Sequence, residues 1–289
     1  MDILYSRAKI NLFLHIVGRN KKNYHNIQSV MSFINLHDEI IISDSDSLKI
    51  DFQYNEKIIF PIIDQSNNSI IKIINNFSNL INKKITLDIK VKKNIPTGGG
   101  LGGGSTNAAT ILRYLQNKYK CQLPKKTELS LALKIGYDTI PCLYNRTLIA
   151  ESVGDQISTC ELDEELQNSH ILIIYPQIIS LSSSSYELFK NENINFSPQI
   201  TIPQIITYDF LKRQHNDLNS SLIKQFPETN ELIELINKLN IQQNIITRMS
   251  GSGSTFFVLS KNKNQIESIK YEINTRFPDY FTGIYNFIA

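Results

Sequence analysis

Pro96-Thr97-Gly98-Gly99-Gly100-Leu101-Gly102-Gly103-Gly104-Ser105-Thr106-Asn107-Ala108-Ala109 decides the reading of this chain. Six glycines fall in the seven positions from Gly98 to Gly104, in a sequence that has only 12 glycines among 289 residues. Removing the side chains lets backbone N–H groups approach an anion closely. The alternation of Ile85–Val91 predicts a strand leading into this segment. Ala108, Ile111, Leu112, Leu115 and Tyr119 follow helical spacing after it, with Ser105, Thr106 and Asn107 as expected capping residues. Strand, glycine segment and helix in that order form a phosphate cradle, because helix N-terminal donors and the helix dipole favour negative charge. A flexible linker would not be held between a strand and a capped helix.

Three familiar loops are excluded. The residue before Ser105 is Gly104, so the lysine of a Walker A loop is missing. A dinucleotide fold would want an acid roughly 20 residues on, and the nearest acid, Glu128, falls in an expected helix start. The H-R-D and D-F-G signatures of protein kinases are absent.

Outward from the segment, Ile10, Leu12, Leu14 and Ile16 share one face of an expected strand over Ala8–Ile16. Lys9, Asn11, Phe13 and His15 share the other, so Lys9 and Asn11 can address one pocket. A polar turn, Gly18–Asn23, is followed by Tyr24-His25 and by apolar runs at Val30–Ile34, Ile40–Ser43 and Leu48–Phe52. Helices are predicted over Asn67–Leu80, over Thr127–Ile135 (Thr127 capping, Gly136 ending), over Phe226–Leu239 and over Gln265–Phe277. Strands are predicted over Cys142–Ala150, Ile171–Tyr175 and Thr255–Leu259. Leu181–Ser185 reads as a serine-rich loop before a helix at Tyr186–Phe189. A second glycine turn, Ser250-Gly251-Ser252-Gly253-Ser254, precedes the Thr255 strand. Strands and helices mix without strict alternation, which predicts an α+β fold. A domain boundary is expected near Gln156–Leu162, giving domains 1–157 and 158–289.

Composition narrows the function classes. Apolar residues are 41% and charged residues 20% of the chain, an ordinary globular balance. The formal charge of +3, from 30 basic and 27 acidic residues, is too weak to point to a nucleic-acid or membrane partner. Cys121, Cys142 and Cys160 are odd in number and lack C-x-x-C spacing, so neither a disulfide framework nor a zinc site is expected. A cytoplasmic location fits. The opening residues do not read as a secretory leader, and no run is long enough to span a bilayer.

The glycine segment resembles the second motif of the GHMP kinase superfamily, the galacto-, homoserine, mevalonate and phosphomevalonate kinases. Arg248-Met249-Ser250-Gly251-Ser252-Gly253-Ser254-Thr255 resembles the third motif. Ala8-Lys9-Ile10-Asn11-Leu12 with Gly18 and Tyr24-His25 resembles the first motif, in a branch acting on a cytidine diphosphate sugar alcohol in non-mevalonate isoprenoid synthesis. Gly136-Tyr137-Asp138 and Glu151-Ser152-Val153-Gly154-Asp155 continue the likeness over nearly the whole chain.

The resemblance implies the two-domain GHMP kinase fold. An N-terminal ribosomal-protein-S5-domain-2-like domain and a C-terminal α/β-sandwich domain would have the active site in the cleft between them. It implies ATP as co-substrate over Pro96–Thr106, with Asn68 and Lys93 near the adenine and Ser105 near Mg²⁺ or the phosphates. Mg²⁺ is expected through the phosphates, with no protein metal cage. Asp138 would accept the proton of the substrate 2-hydroxyl, and Lys9 would hydrogen-bond that hydroxyl and keep Asp138 ionised. Tyr24 and His25 would hold the cytosine ring with Tyr186 opposite, so that the base stacks between rings. Asn11, Ser182, Gly251 and Ser252 complete the substrate set, and a monomer or weak homodimer is expected.

Two departures stand out. Asp138-Thr139-Ile140-Pro141 sets the proline one place later than the family pattern, and Thr97 replaces a bulkier apolar residue. The rival readings are another GHMP kinase, for homoserine or a mevalonate derivative, and a non-catalytic nucleotide binder.

Overall fold

The computed structural model describes residues 1–61, 68–191, 195–243 and 245–288. The chain forms two compact units that interleave along the sequence: Met1–Lys9, Leu36–Thr97 and Gly102–Asn145 in the first, Ile10–Asn35, Gly98–Leu101 and Arg146–Ala289 in the second. Contacts therefore divide the chain differently from a single cut at 157/158. Two long strands, β1 (Asp2–Arg19) and β2 (His25–Asp44), pair with each other and belong in part to each unit.

In the first unit the later half of β2 pairs antiparallel with β4 (Leu87–Lys93), from Glu39 opposite Lys92 to Asp44 opposite Leu87. On its other edge β4 pairs in parallel with β3 (Lys49–Tyr54). Leu87, Ile89, Val91 and Lys93 of β4 are buried while Lys90 and Lys92 are exposed, the period of two expected of a sheet with one covered face. Helix α1 (Ser69–Ile81) starts where the Asn68 side chain accepts the Ile70 N–H, and ends at Asn82 with a left-handed φ of 48°. It buries Ile70, Ile73, Ile74 and Phe77, each contributing about 1.5–3 kcal/mol. It packs on α2 (Gly103–Lys118), which is followed by α3 (Lys125–Leu133) and the single turn α4 (Thr139–Cys142).

In the second unit the earlier half of β2 pairs antiparallel with β5 (Leu148–Ser152), which pairs with β6 (Gln156–Thr159). Short strands β7 (Glu161–Leu162) and β9 (Ile205–Ile206) pair in parallel. Strand β8 (His170–Tyr175) lies at the centre of an antiparallel sheet of order β10-β11-β8-β12, with β10 Ile246–Met249, β11 Phe256–Ser260 and β12 Phe281–Asn286. Ile171–Tyr175 has no exposed surface, which is why it reads as an unbroken apolar run. Helices α5 (Glu164–Gln167), α6 (Ser182–Asn191), α7 (Tyr208–Lys212), α8 (Asn219–Gln225), α9 (Asn230–Gln243) and α10 (Lys263–Arg276) complete the unit. One core cluster joins Leu14, Ile16 and Ile27 to Leu172, Ile174, Leu222, Leu232, Ile236, Phe256, Val258 and Ile269.

Several local expectations change. Val30–Ile34 and Ile40–Ser43 lie on one 20-residue strand. Polar Asp38 does not break it, because its carboxylate is satisfied there. Ser105, Thr106 and Asn107 lie inside α2, whose cap is Gly102 at φ 67°; a backbone turn without a side chain starts the helix two residues early. Helix α3 is capped by Pro124, not Thr127, and stops at Leu133. Cys142 ends α4 instead of opening a strand. Pro141 is accepted because the first turn of a helix needs no N–H from that position. The serine run belongs to α6, and a 3-10 turn at Pro227–Thr229 precedes α9, displacing its expected start at Phe226. Asn67, the expected start of α1, lies outside the described residues.

Candidate active site

The first unit brings an acid–base pair against the start of α2. Lys9 on β1 is 2% exposed. Its Nζ lies 3.5 Å from Asp138 Oδ2, on a side chain that is 51% exposed. A buried ammonium facing a half-open carboxylate leaves one face of the pair accessible to a ligand. Gly102 fixes the other side of Lys9, since a Cβ there would stand 2.7 Å from Lys9 Cγ. Glycine at 102 thus serves both its positive φ and the passage of the lysine stem.

Thr106 N–H is bonded back to Gly102 O at 2.9 Å. The preceding N–H groups, of Gly103, Gly104 and Ser105, have no acceptor in their own helix. Gly104 is exposed and Ser105 partly so, which makes this helix start open to an anion. Ser69 Oγ donates to Gly104 O at 2.7 Å, tying the starts of α1 and α2 together.

Asp138 owes its position to α2. Arg113 on α2 donates to Cys142 O (2.8 Å), Leu143 O (3.2 Å) and Thr110 Oγ1 (3.1 Å), closing the C-terminal end of α4. The Cys142 thiol is pushed up to about 12, first by burial and then by the charge of Asp138, so it stays a neutral thiol beside the carboxylate.

The two residues expected near adenine have other bonds. Asn68 spends its side-chain oxygen on the Ile70 N–H at 2.9 Å. Lys93 is 6% exposed and ion-paired with the fully buried Asp38. Its Nζ lies 3.4 Å from where a Cβ on Gly103 would stand, beneath the start of α2. Asp38 itself was not anticipated, although it shares a strand face with Leu36, Ile40 and Ile42, an inward-facing charge visible in the period of two. Pro96 is buried and Thr97 partly buried ahead of the glycines.

In the second unit, Gly98–Leu101 lies against the second glycine turn. Ser180 N–H donates to Gly98 O (2.8 Å), Thr255 N–H to Gly99 O (3.1 Å) and Ser250 Oγ to Gly100 O (3.0 Å). A Cβ on Gly100, at φ 77°, would fall 2.1 Å from Ser250 O, so only glycine admits this approach. Ser250 Oγ also accepts the Asn11 N–H (3.2 Å), and Asn11 Nδ2 donates to Ser29 Oγ (2.9 Å). Asn216 Nδ2 donates to Met249 O and Gly251 O, both at 2.8 Å. Ser182 Oγ and Ser252 Oγ share a hydrogen bond at 2.9 Å, and Ser180 Oγ reaches Ser252 O at 3.0 Å. Buried Arg248 donates to Leu12 O, Leu211 O and Gln214 O. Burial alone lowers it to about 10. Ser180, Asn216 and Arg113 were missed because each bonds to backbone far away in sequence, which leaves no periodic signal.

The aromatic residues expected around a base also meet in this unit. His25 stacks on Tyr186 at 5.4 Å and meets Phe189 edge-on at 5.7 Å. Burial, then Arg19 and Lys190, lower its pKa, which favours a neutral imidazole. Tyr24 is 53% exposed. The direct His25–Tyr186 stack leaves no space for a base between those two rings as they stand.

The description "GHMP kinases N terminal domain" matches residues 68–146, and "GHMP kinases C terminal" matches residues 209–279. The fold and the site together define a GHMP kinase. Over 285 residues the chain is 32% identical to the 4-diphosphocytidyl-2-C-methyl-D-erythritol kinase of Francisella tularensis subsp. novicida (strain U112), covering 98% of this chain and 96% of the relative. The kinase of the same name from Sulfurihydrogenibium sp. (strain YO3AOP1) is 33% identical over 272 residues, covering 92% and 94%. This chain belongs to the 4-diphosphocytidyl-2-C-methyl-D-erythritol kinase family. A solved 4-(cytidine 5'-diphospho)-2C-methyl-D-erythritol kinase superposes with TM-score 0.78 at 23% identity, covering 99% of both chains. Methanococcus jannaschii mevalonate kinase superposes at 0.63 and 16%, covering 100% of this chain and 98% of the other. At those identities the likeness speaks for the fold.

Proposed function

We propose that the chain transfers the γ-phosphoryl group of ATP to the 2-hydroxyl of 4-diphosphocytidyl-2-C-methyl-D-erythritol, releasing ADP and the 2-phosphate. The observation that carries this reading is the Lys9–Asp138 pair, 3.5 Å apart, with the lysine stem against Gly102 at the head of α2. Phosphoryl transfer asks a protein mainly for positioning and charge stabilisation, and these residues supply both. The Gly103, Gly104 and Ser105 amides, with the dipole of a 16-residue helix, receive the phosphates, and Gly98–Leu101 lines the rest of the segment. Asp138 takes the hydroxyl proton while Lys9 holds the hydroxyl. Ser105 would be the hydroxyl offered to a Mg²⁺ bound through the phosphates, and that ion would supply charge neutralisation there. Tyr24, His25 and Tyr186 receive the cytosine, with Tyr186 swinging off His25 to admit it, and Asn11, Ser182, Gly251 and Ser252 line the rest of the substrate. Relatives of this name and free cysteines fit a cytoplasmic enzyme, acting as a monomer or weak homodimer.

The test is transfer of γ-labelled phosphate from ATP to the cytidyl substrate, with homoserine and mevalonate as competitors. Label is expected on the cytidyl substrate, and Asp138→Asn is expected to lower kcat by about 10²–10⁴ with small changes in KM. Wild-type turnover in that variant, or preferred labelling of homoserine or mevalonate, refutes the reading.

A further inference from the structure

Asp38 is a carboxylate with no exposed surface, and no step of the chemistry above uses it. Its Oδ1 accepts the N–H groups of Asn94 (2.7 Å) and Ile95 (2.9 Å). Its Oδ2 accepts Asn107 Nδ2 at 2.9 Å and pairs with Lys93 Nζ. Asn94 and Ile95 are the last residues before Pro96, and Asn107 lies in the second turn of α2. One carboxyl group therefore holds the chain where it enters the glycine segment and again where it leaves.

We propose that Asp38 is a positioning residue for ATP: it sets the distance and angle between the end of β4 and the first turn of α2, and so the aim of the amides that receive the phosphates. This rests on the reading of Gly98–Ser105 as the phosphate site. Burying a carboxylate is costly unless each oxygen is bonded, and an apolar side chain would fill the same volume at less cost. What an apolar residue lacks is direction. Four donors, three from Lys93–Ile95 and one from Asn107, fix the helix start in a way that packing alone does not. Lys93 has a matching part: its ammonium joins Asp38 beneath Gly103, so it acts as a spacer under the helix start.

The experiment measures KM for ATP, KM for the cytidyl substrate, kcat, calorimetric affinity for a non-hydrolysable ATP analogue, and thermal unfolding. It compares wild type with Asp38→Asn, Asn107→Ala and Gly103→Val. Asp38→Asn is expected to raise KM for ATP and weaken the analogue by about tenfold to a hundredfold, as displaced binding groups do. Asn107→Ala, which cuts only the helix arm, is expected to raise KM for ATP by about three- to tenfold. Both should leave KM for the cytidyl substrate within about twofold, a split that simple loss of folded protein does not produce. Should Asp38→Asn fail to fold, Asn107→Ala decides alone. Unchanged analogue affinity in the folded variants, with Gly103→Val defective, overturns the proposal and spares the phosphate site. So does activity that falls only in step with the folded fraction. Normal analogue binding by Gly103→Val overturns both.

Discussion

His15 shows how a single residue can set the pH behaviour of a fold. It is 4% exposed, and neither ring nitrogen has a hydrogen-bond partner among the described residues. Its ring lies 4.3 Å from His215 and 4.9 Å from Phe13. Burial lowers its pKa to about 4; His215 and Arg248 add to this and Asp217 opposes it. Asp217 stays below its usual value, because bonds from His215, the Ile16 N–H and Ser197 outweigh its own burial. A histidine whose folded pKa lies below its unfolded value of 6.5 stabilises the fold above pH 6.5, and that stability is lost as pH falls toward 4. The loss should reach about 2 kcal/mol by pH 5. Urea unfolding at pH 5 and pH 7.5 checks this, and His15→Phe should flatten the difference; an unchanged slope in that variant would place the acid sensitivity elsewhere. Sequence alternation puts His15 on the face of Lys9 and Asn11, opposite Leu14 and Ile16. It does not tell that both faces of β1 are covered here, which is what takes the imidazole out of water.

At the scale of the element, α4 is one turn long and gains little from its own hydrogen bonds. Its placement comes from α2 through the Arg113 guanidinium, which caps Cys142 O and Leu143 O. Arg113→Lys keeps the charge and loses the planar fork. It should lower kcat by about tenfold through a drifting Asp138, with KM for ATP within about twofold; steady-state kinetics beside a melting curve separate this from plain instability. The late proline in Asp138-Thr139-Ile140-Pro141 fits the helix backbone for an elemental reason, since it falls within the first turn. Long periodic elements such as α1 and β8 were legible from spacing alone. The start of α2 and the serine run of α6 were not, because capping preferences read the side chains while the helix start at Gly102 is set by its backbone conformation.

At the scale of the molecule, each unit takes chain from distant parts of the sequence. The core of the second unit includes Leu14, Ile16 and Ile27 beside residues from 172 to 273. A fragment of residues 158–289 should therefore lack a cooperative thermal transition by circular dichroism, and sharp melting of that fragment would contradict the shared core. The glycine count, the strand–glycine–helix order and the shared face of Lys9 and Asn11 were readable along the chain, whereas the roles given to Lys9 and Asp138 came only with the family resemblance. The readable features depend on local sterics: what a missing Cβ permits, and what a period of two or 3.6 puts on one face. The Asp38 clasp, the Arg113 and Arg248 bonds to backbone carbonyls and the interleaved units were decided by tertiary structure. A hydrogen bond between residues tens to hundreds of positions apart leaves no mark on either neighbourhood, and only burial, which makes an unbonded polar group costly, enforces it.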